Sequence, residues 1–275
     1  LKTSEWLKKY DIRLKKGLGQ NFLSNSTVSH EIVKKSEIDE NDVIIEIGTG
    51  NGILTEEIAK KAKKVITFEI DERLKPLLEE RFEGSKNVEI HFEDFLNTDL
   101  SKFKDIPKLK YIANIPYYIS SKILEKIFEE SPKFEYAIFM FQKEFGQRLM
   151  AKSKKSYSPL SIFVQTYCTV ERIMDVSKNN FIPIPKVDSV ILKFNPVYKY
   201  VEEIDPKDFM KFVHICFSKR RKTIKNNLKE IIPDTEKYLT EVQIDPSSRP
   251  EDIPIETYIQ LYKKLLGRRG ANKGF

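Results

Sequence analysis

Asn114-Ile115-Pro116-Tyr117 follows directly on the short apolar run Leu109–Ala113. A strand that ends this way can present an amide acceptor, a stiff backbone with an exposed carbonyl, and a flat ring at one rim. Methylation of an exocyclic amine on a nucleobase needs this set. The Asn114 side-chain oxygen and the Ile115 carbonyl can accept hydrogen bonds from the amine. The nitrogen lone pair then turns out of conjugation toward an electrophile, while Tyr117 stacks on the base. Taken alone, the tetrapeptide is equally a strand-to-helix turn, with Pro116 as breaker and Ser120 or Ser121 capping the helix that follows.

A second constellation lies upstream. Residues 43–55 read Val-Ile-Ile-Glu-Ile-Gly-Thr-Gly-Asn-Gly-Ile-Leu-Thr, an apolar run that ends at Gly48 and gives way to a helical pattern. Gly48, Gly50 and Gly52 allow positive φ and close approach of the backbone to a ligand. Glu69 ends a second strand, Lys64–Glu69, where a carboxylate can accept both ribose hydroxyls of an adenosine-containing cofactor. The sixth position of the dinucleotide fingerprint is Ile53 instead of glycine, which argues for a nucleoside without a pyrophosphate, such as S-adenosylmethionine (SAM). A third strand, Asn87–Phe92, ends at Glu93-Asp94, and Asp94 could accept the adenine amine. Each of these places could be an ordinary turn with a solvated acid. Four of them, each closing its own apolar run, favour one shared crevice.

These motifs, taken in order, resemble the KsgA-type rRNA adenine dimethyltransferases. The resemblance runs from about Leu14 to Leu266. It includes Lys15-Lys16-Gly17-Leu18-Gly19-Gln20-Asn21-Phe22-Leu23, the glycine loop, Glu69, Asp94 and Asn114–Tyr117. It continues through Phe181-Ile182-Pro183-Ile184-Pro185-Lys186-Val187-Asp188-Ser189, Phe217-Ser218-Lys219-Arg220-Arg221-Lys222 and Arg249-Pro250-Glu251-Asp252. It implies that Asn21, Leu23, Gly48, Gly50, Glu69, Asp94 and Asn114 contact SAM. Asn114, Ile115, Pro116 and Tyr117 would engage the target base, with Phe181 closing its other face. The implied reaction is N6,N6-dimethylation of two adjacent adenosines near the 3′ end of small-subunit rRNA, naked or in a partly assembled pre-30S-type particle. Erm-type enzymes, which modify large-subunit rRNA, share the Asn-Ile-Pro-Tyr and Gln-Asn-Phe-Leu segments. Gly17-Leu18-Gly19 and the C-terminal pair Ser218–Lys222 and Arg249–Asp252 point to the small subunit. Asn51 departs from the family pattern. A non-catalytic assembly or transcription factor on the same scaffold is the other alternative, against which the intact Glu69, Asp94 and Asn114–Tyr117 speak. A nicotinamide-dependent oxidoreductase is disfavoured by Ile53.

The elements that must position these groups read as alternating strands and helices. Strands are expected at Val43–Ile47, Lys64–Glu69, Asn87–Phe92, Leu109–Ala113 and Tyr136–Phe141. Helices are expected near Ser26–Ser36, Ile53–Lys61, Glu72–Arg81 and Ser121–Glu130. Phe145–Met150 looks helical, and Ser161–Tyr167 is ambiguous. Thr169–Val176 and Asp188–Asn195, with no long helix between them, predict an antiparallel final pair. The fold class is therefore α/β, a mostly parallel Rossmann-like sheet of the SAM-methyltransferase type. Beyond Pro196–Pro206 the helical periods Phe209–Lys219, Lys222–Ile231, Thr235–Val242 and Ile255–Leu266 predict a small all-α domain. The expected division is an arm at 1–25, a methyltransferase domain at 26–196, a helical RNA-binding domain at 197–266 and a flexible tail at 267–275.

Charge supports a nucleic-acid substrate. The chain of 275 residues carries a formal net charge of +7. Residues 1–35 hold eight Lys/Arg against three acids, and residues 201–275 hold fifteen against twelve, so the basic excess lies at the flanks. Lys15, Lys16, Lys219, Arg220, Arg221 and Lys222 are the candidate phosphate contacts. A solvated, Lys/Glu-rich surface would give a similar count. Cys168 and Cys216 are far apart, and the three histidines are scattered, so no metal site is expected. No apolar stretch approaches the ~20 residues a bilayer span needs, and Leu1–Tyr10 is charged, unlike a signal peptide. The expectation is a cytoplasmic monomer that does not contact a membrane.

Overall fold

The structure, a computed structural model, describes residues 2–15, 19–219, 221–269 and Phe275. Two of the expected phosphate contacts, Lys16 and Arg220, lie outside these residues, as do Gly17 and Leu18.

The chain divides into two compact units. The first comprises Leu1–Gly146 and Glu171–Asn195, the second Gln147–Val170 and Pro196–Phe275. In chain order the elements are α1 (Thr3–Lys9), β1 (Phe22–Leu23), α2 (Ser26–Ser36), β2 (Val43–Ile47), α3 (Ile53–Ala59), β3 (Lys64–Phe68), α4 (Lys75–Arg81), β4 (Val88–His91), β5 (Lys110–Asn114) and α5 (Ser120–Glu130). They continue with β6 (Tyr136–Gln142), α6 (Lys143–Met150), α7 (Pro159–Tyr167), β7 (Cys168–Val176), β8 (Phe181–Ile182), β9 (Ser189–Pro196), α8 (Lys199–Glu203), α9 (Pro206–Cys216), α10 (Ile224–Leu228), α11 (Thr235–Glu241) and α12 (Ile255–Arg269).

Among the described residues seven strands form one sheet in the order β4-β3-β2-β5-β6-β9-β7. The pairs β2–β3, β3–β4, β2–β5 and β5–β6 are parallel, and β9 runs antiparallel to β6. Strands such as Val-Ile-Ile-Glu-Ile and Tyr-Ala-Ile-Phe-Met-Phe-Gln are nearly continuous apolar runs because helices cover both faces of a parallel sheet. The chain steps outward from β2 to β3 and β4, then jumps back to β5 on the other side of β2. That reversal opens a crevice at the carboxyl ends of β2 and β5. Gly48 immediately follows β2, and Asn114 is the last residue of β5.

The sheet core joins Ile44, Val65, Ile112, Ile138 and Ile191 to Ile32, Leu54 and Ile58 of the helices. A smaller cluster packs Trp6 and Leu7 of α1 against Leu74, Leu77 and Leu78, with Phe22 beside them. The residues expected to form an arm are thus partly helical and packed, because Trp6 and Leu7 give α1 one apolar face.

The second unit has its own core of Phe209, Phe212, Val213, Ile224, Leu228, Leu239, Tyr258 and Tyr262, together with Tyr157 and Ile162. Residues 147–170, read from the sequence as part of the first domain, therefore pack with the helices. Ser161 donates to the Arg148 carbonyl at 2.5 Å, and the Lys154 N–H donates to the Glu251 carbonyl at 2.8 Å. Asp205-Pro206, read as linker, starts α9. The Asp205 carboxylate accepts the N–H groups of Lys207 and Asp208, and Pro206 occupies a first-turn position where no donor is needed. Gly267–Arg269, expected in the tail, extend α12, and the Phe275 ring packs 4.9 Å from that of Phe212.

Candidate active site

The crevice at the β2–β5 switch is a cavity of about 230 Å³, far more than an ordered water occupies. Its walls include Gln20–Leu23, Glu46–Asn51, Phe68–Ile70, Asp94–Leu96 and Asn114–Ile119. Every expected cofactor residue is on them: Asn21, Leu23, Gly48, Gly50, Glu69, Asp94 and Asn114. Ile115, Pro116 and Tyr117 line the same space.

The turn after β2 is tight. The N–H groups of Gly48 and Thr49 both donate to the Phe68 carbonyl, at 2.8 and 3.2 Å. Gly50 has φ +56°, and a Cβ there would lie 3.1 Å from the Phe22 ring. Only glycine takes that conformation without strain. The Gly50 N–H donates to Glu69 Oε2 at 2.8 Å, and the Asp71 N–H donates to Oε1 at 2.9 Å. Backbone donors thus hold both carboxylate oxygens, with Ile70 adding a further backbone bond, and lone-pair capacity is left to spare. Burial pushes the Glu69 carboxyl above its ordinary value, opposed by these N–H bonds. Asp94 commits Oδ1 to the Leu96 N–H at 2.9 Å. Its neighbour Glu93 is exposed and takes the Thr98 hydroxyl instead, so Asp94 is the acid that reaches the cavity.

Asn114 Nδ2 donates to the Asn21 carbonyl at 3.3 Å. With the amide nitrogen engaged, Oδ1 is oriented as an acceptor. The Tyr117 hydroxyl is 2.7 Å from Ser189 Oγ, a buried group at the start of β9, which fixes the ring direction. Ser120 does not cap α5. Its hydroxyl donates back to the carbonyls of Pro116 and Tyr117, at 3.3 and 3.2 Å, and closes a 3-10 turn over Tyr117–Ile119. Ser121 is the second residue of the helix and cannot cap it.

Phe181, expected to close the other face of the base, is 1% exposed and packs in the sheet core with Leu23 and Val176. The reason is the two-stranded ribbon in which Leu23 pairs with Phe181 and Phe22 with Ile182. Pairing turns the Phe181 ring inward, into that core. The aromatic that does stand open on the wall is Tyr118, 54% exposed.

Several residues on or just behind the wall escaped the sequence reading. Glu46 is 1% exposed, and burial pushes its carboxyl up to about 8, with nearby Glu69 acting the same way. Thr55 donates to Glu46 Oε2 at 2.5 Å, Thr67 also bonds the carboxyl, and Thr67 lies 2.7 Å from Thr49. The signal was an acid inside the apolar strand Val-Ile-Ile-Glu-Ile. Asp71 accepts Gln20 Nε2 at 2.7 Å and two Arg73 nitrogens, at 2.8 and 2.5 Å, while the Lys15 N–H donates to Gln20 Oε1 at 2.8 Å. The exposed Lys15 is thereby tied to the rim below Glu69.

In the second unit Lys219, Arg221 and Lys222 are exposed. Lys219 and Lys222, expected at helix ends, sit with Arg221 on the turn between α9 and α10, where the Lys222 N–H donates to the Lys219 carbonyl at 2.9 Å. Lys219 also reaches Glu230 at 3.3 Å. Cys168 and Cys216 are buried free thiols. Among the described residues no cluster could hold a metal, and no helix is long and apolar enough to cross a membrane.

The donor set fits an adenosine-type group: a preoriented carboxylate for vicinal hydroxyls, a second acid for an amine, apolar Ile70, Phe95 and Leu96 for a flat ring, and Gly48 and Gly50, which let the backbone come close to a ligand.

Residues 12–266 match the family described as ribosomal RNA adenine dimethylase. Over 264 residues the chain is 46% identical to ribosomal RNA small subunit methyltransferase A of Thermotoga neapolitana, covering 95% of each. A dimethyladenosine transferase from Plasmodium falciparum matches with a TM-score of 0.78 at 30% identity, covering 90% of this chain and 98% of that one. The 23S rRNA methyltransferase ErmE matches with a TM-score of 0.70 at 26% identity, covering 89% and 99%.

Proposed function

The chain belongs to the ribosomal RNA adenine dimethylase family, and from that premise we propose that it dimethylates N6 of two adjacent adenosines near the 3′ end of small-subunit rRNA, using SAM. The observation that carries this reading is the Asn114 amide. Its nitrogen is engaged by a fixed backbone carbonyl, and its oxygen is left to accept from an amine at the edge of a cavity with an adenosine-type donor set.

When bound, SAM supplies a methyl group made strongly electrophilic by its sulfonium. Glu69 would hold the ribose hydroxyls through the lone pairs its backbone donors leave over. Asp94 would accept the adenine amine, with Ile70, Phe95 and Leu96 against the ring. The target adenine must leave its stack, at a cost on the order of a few kcal/mol. Tyr117, fixed through Ser189, offers a face to the extruded base. Asn114 Oδ1 and the Ile115 carbonyl accept from N6 and stabilise the positive charge it gains on attack. The amine proton becomes acidic only after attack, so water suffices as the base. Catalysis here is alignment and charge stabilisation. Lys15 in the first unit, and Lys219, Arg221 and Lys222 in the second, would contact phosphates.

The deciding experiment incubates the chain with tritiated SAM and small- or large-subunit rRNA, as naked RNA and as partly assembled particles, and maps the labelled nucleotides. The expected result is two adjacent dimethyladenosines near the small-subunit 3′ end. Label confined to large-subunit RNA would replace this reading with the activity of the ErmE-like neighbours.

A further inference from the structure

Asn51 stands inside the glycine turn, between Gly50 and Gly52, and is 2% exposed. Its side chain touches three separate parts of the chain. Nδ2 donates to Thr3 Oγ1 at 2.7 Å and to the Leu23 carbonyl at 2.9 Å, and Oδ1 accepts the Ile53 N–H at 3.3 Å. The Thr3 hydroxyl also lies 3.4 Å from the Leu23 carbonyl. Thr3 is 4% exposed and is the first residue of α1. From the outer side, Arg81 Nη1 donates to the Asn51 carbonyl at 2.8 Å, while Nη2 pairs with Glu56 at 2.6 Å. The Arg81 guanidinium lies 5.9 Å from the centre of the Trp6 ring of α1.

We infer that Asn51 and Thr3 are positioning residues for the cofactor, which make α1 a structural part of the SAM site. The inference rests on the SAM reading of the cavity. Thr3 acts through others, and Asn51, itself on the cavity wall, holds its neighbours there through its side chain. Leu23 lines the cavity, and its carbonyl is held by Asn51 and Thr3. Gly50, one residue before Asn51, donates to the carboxylate that would receive the ribose. Asn51 therefore fixes the distance between the Leu23 wall and the glycine turn, and Thr3 fixes Asn51. A buried amide that loses a partner pays desolvation without a bond, so it rotates or admits water, and the turn follows it.

Thr3→Val removes the hydroxyl and keeps the shape, while Thr3→Ser keeps the hydroxyl. Tyr111→Phe serves as a control for stability alone, since its hydroxyl lies 2.8 Å from Ser131 in the sheet core and its side chain does not line the cavity. SAM affinity is measured by titration calorimetry on the full chain, alongside the melting midpoint. Thr3→Val should weaken SAM binding about tenfold, the scale of one net buried hydrogen bond with its desolvation. Thr3→Ser should restore binding, and Tyr111→Phe should lower the midpoint at unchanged affinity. Wild-type affinity in Thr3→Val, whatever its midpoint, overturns the inference while the cofactor reading stands. Absence of SAM binding by the wild-type chain overturns the cofactor reading and this inference with it.

Discussion

Asn114 shows how a catalytic amide is made directional by something other than itself. Its side chain can present oxygen or nitrogen to a base, and only the Asn21 carbonyl decides which. Asn114→Ala should leave the fold intact and lower the methylation rate roughly 10²–10³-fold, the usual cost of losing one preorganised polar group at a developing charge. Single-turnover transfer of tritium to rRNA checks this, and turnover near wild type would remove Asn114 from the mechanism. Glu46 makes a different prediction. Its folded pKa, about 8, lies above its unfolded value, so the folded state binds the extra proton. The stability this group contributes is fully present below the unfolded value near 4.5 and is lost as pH rises through 8. Glu46→Gln, which cannot ionise, should gain on wild type over that window, by on the order of 4 kcal/mol at pH 8, and the advantage should vanish toward pH 4. Urea midpoints at the two pH values measure it.

At the scale of elements, the glycine turn joins β2 to α3. Gly52 has φ +77°, and a Cβ there would meet Phe82 at 2.8 Å. Gly84 has φ +78° with nothing within 4 Å of the same position. Gly84→Ala should therefore cost only the left-handed penalty, about 1 kcal/mol. Gly52→Ala should cost about 1–3 kcal/mol more, because Phe82 and the α1–α4 packing must give way. Equal denaturant midpoints for the two variants would show that Phe82 moves aside freely. The ribbon between β1 and β8 shows what a linear motif leaves open. The Phe-Ile-Pro segment was legible as a motif, but the face its aromatic presents was not. A strand's inward side is set by its partner and register, and Phe181 found its partner in Leu23, far away in sequence.

For the whole molecule, the basic flanks fall in both compact units, with Lys15 in the first and Lys219, Arg221 and Lys222 in the second. The exchange of the last three for Gln should weaken rRNA binding whatever the sequence context. It should also flatten the plot of log K against log salt by about 0.7–0.9 for each phosphate no longer neutralised. Lys219, already near Glu230 at 3.3 Å, should contribute less than Arg221 or Lys222. SAM affinity should be unchanged, since none of the three lines the cavity. A salt slope equal to wild type would assign these cations to the solvated surface.

The strand ends were legible from the linear pattern because each apolar run stops where its polar group begins. Gly48, Glu69, Asp94 and Asn114 therefore point to one crevice even with no strand paired to another. The roles of Asn51, Gln20, Asp71 and Glu46 were decided only by the folded chain. Each is defined by a partner 9 to 51 residues away, and a hydrogen bond of that span leaves no trace in local periodicity. The same holds for residues 147–170, whose helix α7 reads equally well in either unit. Its placement depended on which core offered the matching apolar surface, and three-dimensional packing alone sets that.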